Sequence, residues 1–246
     1  MLSKKLTPEY KLCEKIRRKF RQGIREFDLV KDGDHILIGC SGGKDSLTLI
    51  QLIGEMKRYS KVKFAVTAVH IKNENIHYES DISYLLDFSK SFNIDLIIRT
   101  ISFSADEQKD RTPCFLCSWN RRKALFELAQ EIGCNKIALG HHKDDIITTT
   151  LMNLSYNGTF STMPVLLKMR KMPLTIIRPL CMIEEEDIKP WAKYFDYKPL
   201  IKQCPFDSHS HRSDMSQLLP QLLEFAPEFK NNIWHALKKE KKLVEI

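Results

Sequence analysis

The sequence predicts an α/β protein: a doubly wound, mainly parallel sheet with helical extensions at its N- and C-terminal ends. Three observations predict it. Short, nearly continuous apolar strands alternate with helical segments from residue 35 to residue 195, the pattern of a parallel sheet covered on both faces. Loops rich in glycine and charge follow two of these strands, at the edge where open parallel sheets bind ligands. The 246 residues, 43% hydrophobic and 28% charged, suit one large domain or a domain with a small appendage. They exclude a disordered, collagenous or disulfide-stapled chain.

In chain order, residues 8–30 read as one helix. Leu12, Ile16, Phe20, Ile24 and Phe27 recur every three or four positions as an apolar stripe. Lys15, Arg17, Arg18, Lys19, Arg21 and Arg25 cover much of the rest, as a solvated face or one turned to phosphates. Strands are expected at His35–Cys40, Val62–Ile71, Ile94–Ile101, Lys136–Leu139 and Leu174–Ile177. Helices are expected at Asp45–Tyr59, Asp81–Phe92, Arg121–Ile132, Asp144–Ser155 and Glu184–Phe195. The last 35 or so residues read as helical, broken by Pro220 and Pro227. The chain thus divides into an N-terminal basic helix (1–33), a sheet domain (34–200) and a C-terminal loop with helices (201–246).

Lys and Arg number 39 against 31 Asp and Glu, a net charge of +8. That excess fits a polyanionic partner such as nucleic acid, and equally a merely solvated basic surface. No apolar run approaches the ~18–20 residues of a membrane span. The N-terminus has basic residues but no apolar stretch behind them, so no secretory signal is read and the cytosol is the expected compartment. Seven cysteines without an export signal point to free thiols, a metal site or redox chemistry rather than a disulfide framework.

Ser41-Gly42-Gly43-Lys44-Asp45-Ser46, at the exit of the first strand, is the strongest motif. Two glycines let the backbone turn sharply and aim its N–H groups at an anion, and the following helix adds its unpaired N–H groups. Ser41 and Ser46 supply hydroxyl donors and Lys44 a cation. Asp45 is a poor phosphate neighbour unless a divalent cation lies between, so Mg²⁺ is expected. The spacing is neither Walker A nor GxGxxG.

Cys114-Phe115-Leu116-Cys117 opens a helix near Arg121 and Arg122, which should lower the thiol pKa values. A redox dithiol, half a zinc site and iron–sulfur ligation all fit. With Cys204 the set could hold a [4Fe–4S] cluster with one open iron, or, completed by His209 or His211, a Cys₃His zinc site. Cys13, Cys40, Cys134 and Cys181 read as small buried hydrophobes.

Gly140-His141-His142-Lys143-Asp144-Asp145 ends the fourth strand and opens a helix on the same sheet edge. Its carboxylates suit Mg²⁺ binding or proton transfer and its histidine a phosphate or ribose contact. Asp144 and Asp145 equally suit helix capping and the helix dipole.

SGGKDS resembles the PP-loop of ATP pyrophosphatases, whose fold is adenine nucleotide alpha hydrolase-like. In order, SGGKDS, PCFLC with Arg121-Arg122, GHHKDD, Ile177-Arg178-Pro179-Leu180 and Cys204 resemble the tRNA 2-thiocytidine synthetase branch of that superfamily. The resemblance spans roughly residues 15–215. It implies an ATP-dependent, cytoplasmic tRNA sulfurtransferase that adenylates the C2 oxygen of an anticodon-loop cytidine (position 32) and replaces it with sulfur. Residues 34–200 would be the PP-loop ATP pyrophosphatase domain. It implies that Ser41–Ser46, with Lys44, hold the β and γ phosphates, that backbone near Val69, His70 and Ile71 receives adenine, and that Gly140 and His141 also meet ATP. Arg121 and Asp144 or Asp145 fall at catalytic positions, and Cys114, Cys117 and Cys204 match three ligands of a [4Fe–4S] cluster. Expected partners are tRNA and a sulfur donor system such as a cysteine desulfurase. A homodimer is compatible, and no membrane is expected. Many relatives have a second cysteine where this chain has Asp207, so Asp207 or an external ligand would take the fourth iron. The rival readings are a 2-thiouridine or lysidine synthetase and a zinc-stabilised nucleotide- or RNA-binding module without turnover.

Overall fold

The structure, a computed structural model, describes residues 7–74, 77–78, 82–102, 113–200, 202–203 and 211–246. Helix α1 (Pro8–Glu26) starts where Thr7 Oγ1 accepts the N–H of Tyr10 at 3.2 Å, with proline in the first turn. It ends four residues short of the sequence expectation, because Asp28 turns the chain to φ 50°. Then come β1 (His35–Gly39), α2 (Lys44–Tyr59), β2 (Ala65–Asn73), β3 (His77–Tyr78), α3 (Ser83–Ser91), β4 (Asp95–Ile101) and α4 (Pro113–Glu131). The rest is β5 (Lys136–Ala138), α5 (Lys143–Asn157), β6 (Leu166–Lys168), β7 (Thr175–Ile177), α6 (Glu185–Tyr194), β8 (Lys202–Gln203), α7 (His211–Phe225), α8 (Phe229–Lys239) and β9 (Val244–Glu245).

The main sheet runs β4-β2-β1-β5-β7-β6-β9. The five strands β4, β2, β1, β5 and β7 are parallel, while β6 pairs antiparallel with β7. The order reverses direction at β1, so the crevice beyond β1 and β5 is the switch point at which doubly wound sheets take ligands. Alternate strand residues face opposite layers. Leu37, Val69, Ile71 and Ile137 pack with Ala124, Leu125 and Leu128 of α4. Ile36, Ile38, Val66 and Ala68 pack with Ile16 and Phe20 of α1, Leu49 and Ile53 of α2, and Trp191 of α6. The doubly wound, mainly parallel α/β fold is therefore observed, and α1 shares its core.

Beyond the earlier end of α1, the elements differ from the sequence reading elsewhere. Helix α4 begins at Pro113, so the C-x-x-C opens a helix as expected and is continuous with the segment read as Arg121–Ile132. Phe115 and Trp119 are 43% and 48% exposed, which hides the helical apolar period there. Strand β2 starts at Ala65 because the N–H of Lys63 is held instead by the Asp32 carboxylate at 2.8 Å. Pro220 lies within α7 without breaking it, and only Pro227 marks a turn, between α7 and α8. Strands β6 and β9 are too short to show an alternation. No helix among the described residues is long and apolar enough to cross a membrane.

Candidate functional site

The turn after β1 is shaped for close approach. Gly42 has φ +82°, and a Cβ there would lie 2.7 Å from Leu200 Cγ. Leu200 also donates its N–H to the Gly42 carbonyl at 2.9 Å. Ser41 Oγ accepts from the Gly43 N–H at 3.3 Å, and Ser46 Oγ donates to the Gly43 carbonyl at 2.9 Å. Helix α2 starts from Gly43 with no side-chain cap, so the turn keeps its positive end available to an anion.

The turn after β5 is pressed against it. A Cβ on Gly140 would sit 3.1 Å from the Asp45 carbonyl and 3.2 Å from the Ser46 nitrogen, so only glycine lets the loops touch. His142, which the sequence reading left without a role, bridges them. Its buried imidazole places Nε2 4.0 Å from Asp45 and 3.6 Å from Asp145, and Nδ1 3.7 Å from Asp144. Asp45 Oδ1 is buried with no hydrogen-bond partner among the described residues. An orphaned carboxylate oxygen beside a cationic turn fits a divalent cation.

Lys44 lies 3.3 Å from Asp45 and 3.2 Å from Glu185, the first residue of α6. Burial works against its charge, but the two carboxylates outweigh that and raise its pKa. Burial likewise opposes ionisation of Glu185, yet its bond to Lys44 holds its pKa down. Glu185 gave no sequence signal beyond acidity in a helical first turn.

The two aspartates are not equivalent. Asp144 is buried, accepts the Glu185 N–H at 2.7 Å and pairs with Lys230 of α8 at 2.5 Å. It therefore ties α5 to α6 and α8. Asp145 accepts the His142 N–H at 2.9 Å and lies near enough to Arg178 to stabilise that cation. Of the two carboxylates, Asp145 is the one on the side of Arg178 and Asp45.

On the other flank, β2 outruns β1 by several residues. The Val69 carbonyl accepts the Cys40 N–H at 2.8 Å, and His70 Nδ1 lies 2.9 Å from the Cys40 carbonyl. Strand alternation turns the N–H and C=O of Ile71 to the same side as those of Val69, beyond the last paired residue of β1. Asn73 ends β2 and donates its amide to Cys117 Sγ at 3.4 Å, which puts the first turn of α4 on this edge. Cys114 is exposed, Cys117 and Arg121 are half-buried, and Arg122 is exposed.

Cys204, Asp207 and His209 lie outside the described residues, and no side chain is described for His211. Among the described residues no three His, Cys, Asp or Glu side chains form a metal-binding group. Gln203, which precedes Cys204 in the chain, pairs with His77 in the β3–β8 ribbon. The structure therefore brings together Ser41–Ser46, Gly140–Asp145 and Val69–Ile71, and places Cys117 at the end of β2. Leu200, Glu185, His142 and Arg178 belong to the same edge.

A family model for the PP-loop domain matches residues 12–198. A tRNA-cytidine(32) 2-sulfurtransferase of Acinetobacter baumannii is 33% identical over 235 residues, covering 93% of this chain and 77% of the relative. One from Anaeromyxobacter dehalogenans is 32% identical over 234 residues, covering 93% and 80%. Among solved structures, the U34-tRNA thiolase NcsA from Methanococcus maripaludis with its [4Fe-4S] cluster superposes with a TM-score of 0.76. It covers 94% of this chain and 79% of that one at 24% identity, a likeness that speaks to the fold. With its glycine turn at the exit of β1 and its length matched almost throughout, the chain belongs to the PP-loop family and, within it, to the tRNA-cytidine(32) 2-sulfurtransferases.

Proposed function

We propose that the protein thiolates tRNA, adenylating the C2 oxygen of cytidine 32 in the anticodon loop and replacing that oxygen with sulfur to give 2-thiocytidine. The observation that carries this is the tethering of two arms to one sheet edge. Leu200, packed on Gly42, lies on the segment that leads through β8 to Cys204. That strand pairs with β3, the continuation of β2 beyond Asn73, and Asn73 holds Cys117. The glycine-rich turn, the start of α4 and the strand that ends one residue before Cys204 are thus tethered to one sheet edge.

The chemistry needs that convergence. A pyrimidine carbonyl oxygen is a poor leaving group. Its lone pair attacks the α-phosphorus of ATP, the bond to the bridging oxygen breaks, and pyrophosphate departs with the electron pair. Hydrosulfide-level sulfur then adds at C2 and AMP leaves with the oxygen. The sulfur's proton is released to the phosphate products or solvent.

In this reading the Ser41–Ser46 turn and Lys44 grip the β and γ phosphates, Asp45 with Asp145 holds Mg²⁺, and Ile71 backbone receives adenine. Arg121, on α4, lies on the tRNA side. Cys114, Cys117 and Cys204 would hold a [4Fe–4S] cluster. Their thiolates suit it, and when bound it supplies an iron free of protein ligands at which sulfur is delivered. Exposed Arg18, Arg21 and Arg122 offer phosphate contacts to tRNA, and the sulfur source is a cysteine desulfurase system whose persulfide a thiol reductant takes to hydrosulfide, the thiol leaving as disulfide.

The test is nucleoside mass spectrometry of tRNA from a strain lacking the gene. Loss of 2-thiocytidine is expected. Retention of 2-thiocytidine with loss of 2-thiouridine or lysidine overturns the assignment.

A further inference from the structure

Arg178 follows β7 directly and is only 7% exposed. A buried cation ordinarily has a carboxylate, and the buried lysines here obey: Lys136 lies 2.7 Å from Asp34, Lys143 3.2 Å from Glu184. Arg178 makes no ion pair among the described residues. Its Nε donates to His141 Nδ1 at 3.3 Å, its Nη1 donates to the Pro164 carbonyl, and Nη2 has no partner among them. Burial, and then the nearby Arg122, pull its pKa down to about 10, with Asp145 opposing. Even so it is a cation at neutral pH, with no ion pair among the described residues and only the nearby Asp145 to favour its charge.

Its address is informative. The Leu139 N–H bonds to the Ile177 carbonyl at 3.0 Å, so Arg178 stands beside the Gly140–Asp145 loop. Through Gly140 that loop rests on the backbone of Asp45 and Ser46. Since the guanidinium keeps its Nε proton, His141 Nδ1 must be the acceptor, which leaves the His141 proton on Nε2. Arg178 therefore also fixes which end of His141 can donate. Lys44, by contrast, already has Asp45 and Glu185.

We propose that Arg178 is a phosphate-binding residue for the α-phosphoryl group of ATP, the phosphate that stays with the base as AMP once pyrophosphate has left. This rests on the adenylating function proposed above. A guanidinium whose Nη2 has no partner among the described residues can donate its N–H groups to phosphoryl oxygen. Negative charge builds on those oxygens as the C2 oxygen bonds to phosphorus and the bridging bond breaks. The same chemistry would also take a backbone phosphate of tRNA, so the test must separate the two.

The experiment compares the anaerobically purified holoprotein with its Arg178→Gln and Arg178→Lys variants in four measurements. These are melting temperature, AMP affinity, affinity for non-hydrolysable ATP and tRNA-dependent pyrophosphate release. Arg178→Gln should melt at or above the wild-type temperature, because an uncompensated charge has gone. Its AMP affinity should fall about tenfold and pyrophosphate release about 100-fold, with ATP-analogue affinity within about threefold because the β/γ grip is intact. Arg178→Lys should restore part of the AMP affinity.

The inference is overturned if Arg178→Gln binds AMP and releases pyrophosphate like wild type. A lower melting temperature with proportionate loss of both nucleotides also overturns it, since Arg178 is then a strut. So does weakened tRNA binding with intact AMP affinity, since the phosphate is then the RNA's. A wild-type protein that releases no pyrophosphate with tRNA sinks the adenylating function instead, while AMP titration still decides Arg178.

Discussion

Replacing Gly42 by alanine is the sharpest probe of the phosphate turn. The left-handed φ of +82° penalises any side chain by about 1–2 kcal/mol. The new Cβ would also stand 2.7 Å from Leu200 Cγ and Cδ1 and 3.0 Å from its Cβ. Leu200 cannot simply swing aside, because its own N–H is held by the Gly42 carbonyl. Such overpacking adds about 1–3 kcal/mol, so Gly42→Ala should cost about 2–5 kcal/mol in urea unfolding. The control is Gly133, with φ +71° and nothing within 4 Å of the site of a Cβ. Gly133→Ala should show only the backbone part, about 1–2 kcal/mol. In a Leu200→Ala background, which removes Cγ and Cδ1 but keeps the Cβ at 3.0 Å, the cost of Gly42→Ala should fall most of the way to the control value, a coupling of about 1–2 kcal/mol. ATP affinity should fall with Gly42→Ala and not with Gly133→Ala. Equal costs for the two alanines, unchanged by Leu200→Ala, would refute the clamp between the turn and the segment leading to Cys204.

Other outcomes follow from the same geometry. Cys204→Ala should abolish tRNA thiolation and the brown colour of anaerobically purified protein while leaving ATP binding unchanged by calorimetry; stoichiometric zinc in colourless wild-type protein would instead favour a zinc site. Glu185→Gln should tighten ATP binding about threefold at low salt, since the phosphates no longer compete for Lys44, as a nucleotide titration would report. Asp34→Asn should cost about 3–5 kcal/mol by denaturant unfolding, because it strands Lys136 in the core. Burial opposes the Asp34 charge but the bond to Lys136 prevails and its folded pKa lies below 3.8. Its contribution is therefore full above that value and lost as pH falls through the folded pKa, so wild type but not Asp34→Asn should lose this increment in acid titration. Asp144→Asn should lower melting temperature more than Asp145→Asn, and Asp145→Asn should lower Mg²⁺-dependent pyrophosphate release more.

Much of the frame was legible because it repeats local rules. Strands β1, β2, β4, β5 and β7 are apolar runs, and the SGGKDS and GHHKDD loops sit at strand exits, which fixes the edge they share. What was not legible depends on partners distant in sequence. The roles of His142 and Glu185 come from contacts with Asp45 and Lys44, and that of Leu200 from lying over a glycine more than 150 positions away. The helix opening at Cys114–Cys117 was legible from its motif, but its apolar period reads only from Arg121 onward. A helix reads as amphipathic only where one side is buried, and the turn carrying Cys114, Phe115 and Trp119 is largely exposed. Asp144 and Asp145 are indistinguishable as letters, and differ only because Lys230 and the start of α6 claim the first.

The two cations at this edge are prepared differently, and that difference bears on catalysis. Lys44 is already paired, so in the proposed reading an arriving triphosphate would exchange one anionic partner for another and gain little net energy. Arg178 makes no ion pair among the described residues, so in the proposed reading an anion that reaches it recovers part of an electrostatic cost the fold already carries. Interactions that strengthen between bound substrate and transition state raise the rate, whereas equal binding of both only lowers KM. A modest grip on the leaving pyrophosphate with a strong seat for the α-phosphoryl group would tilt binding toward the adenylated base. It would also hold that intermediate until sulfur arrives. In Arg178→Gln, the released AMP should therefore exceed the 2-thiocytidine formed, the excess being adenylated base lost to water, as parallel counts of AMP and thiolated nucleoside would show. Equal yields would mean that the intermediate is retained by something other than this guanidinium.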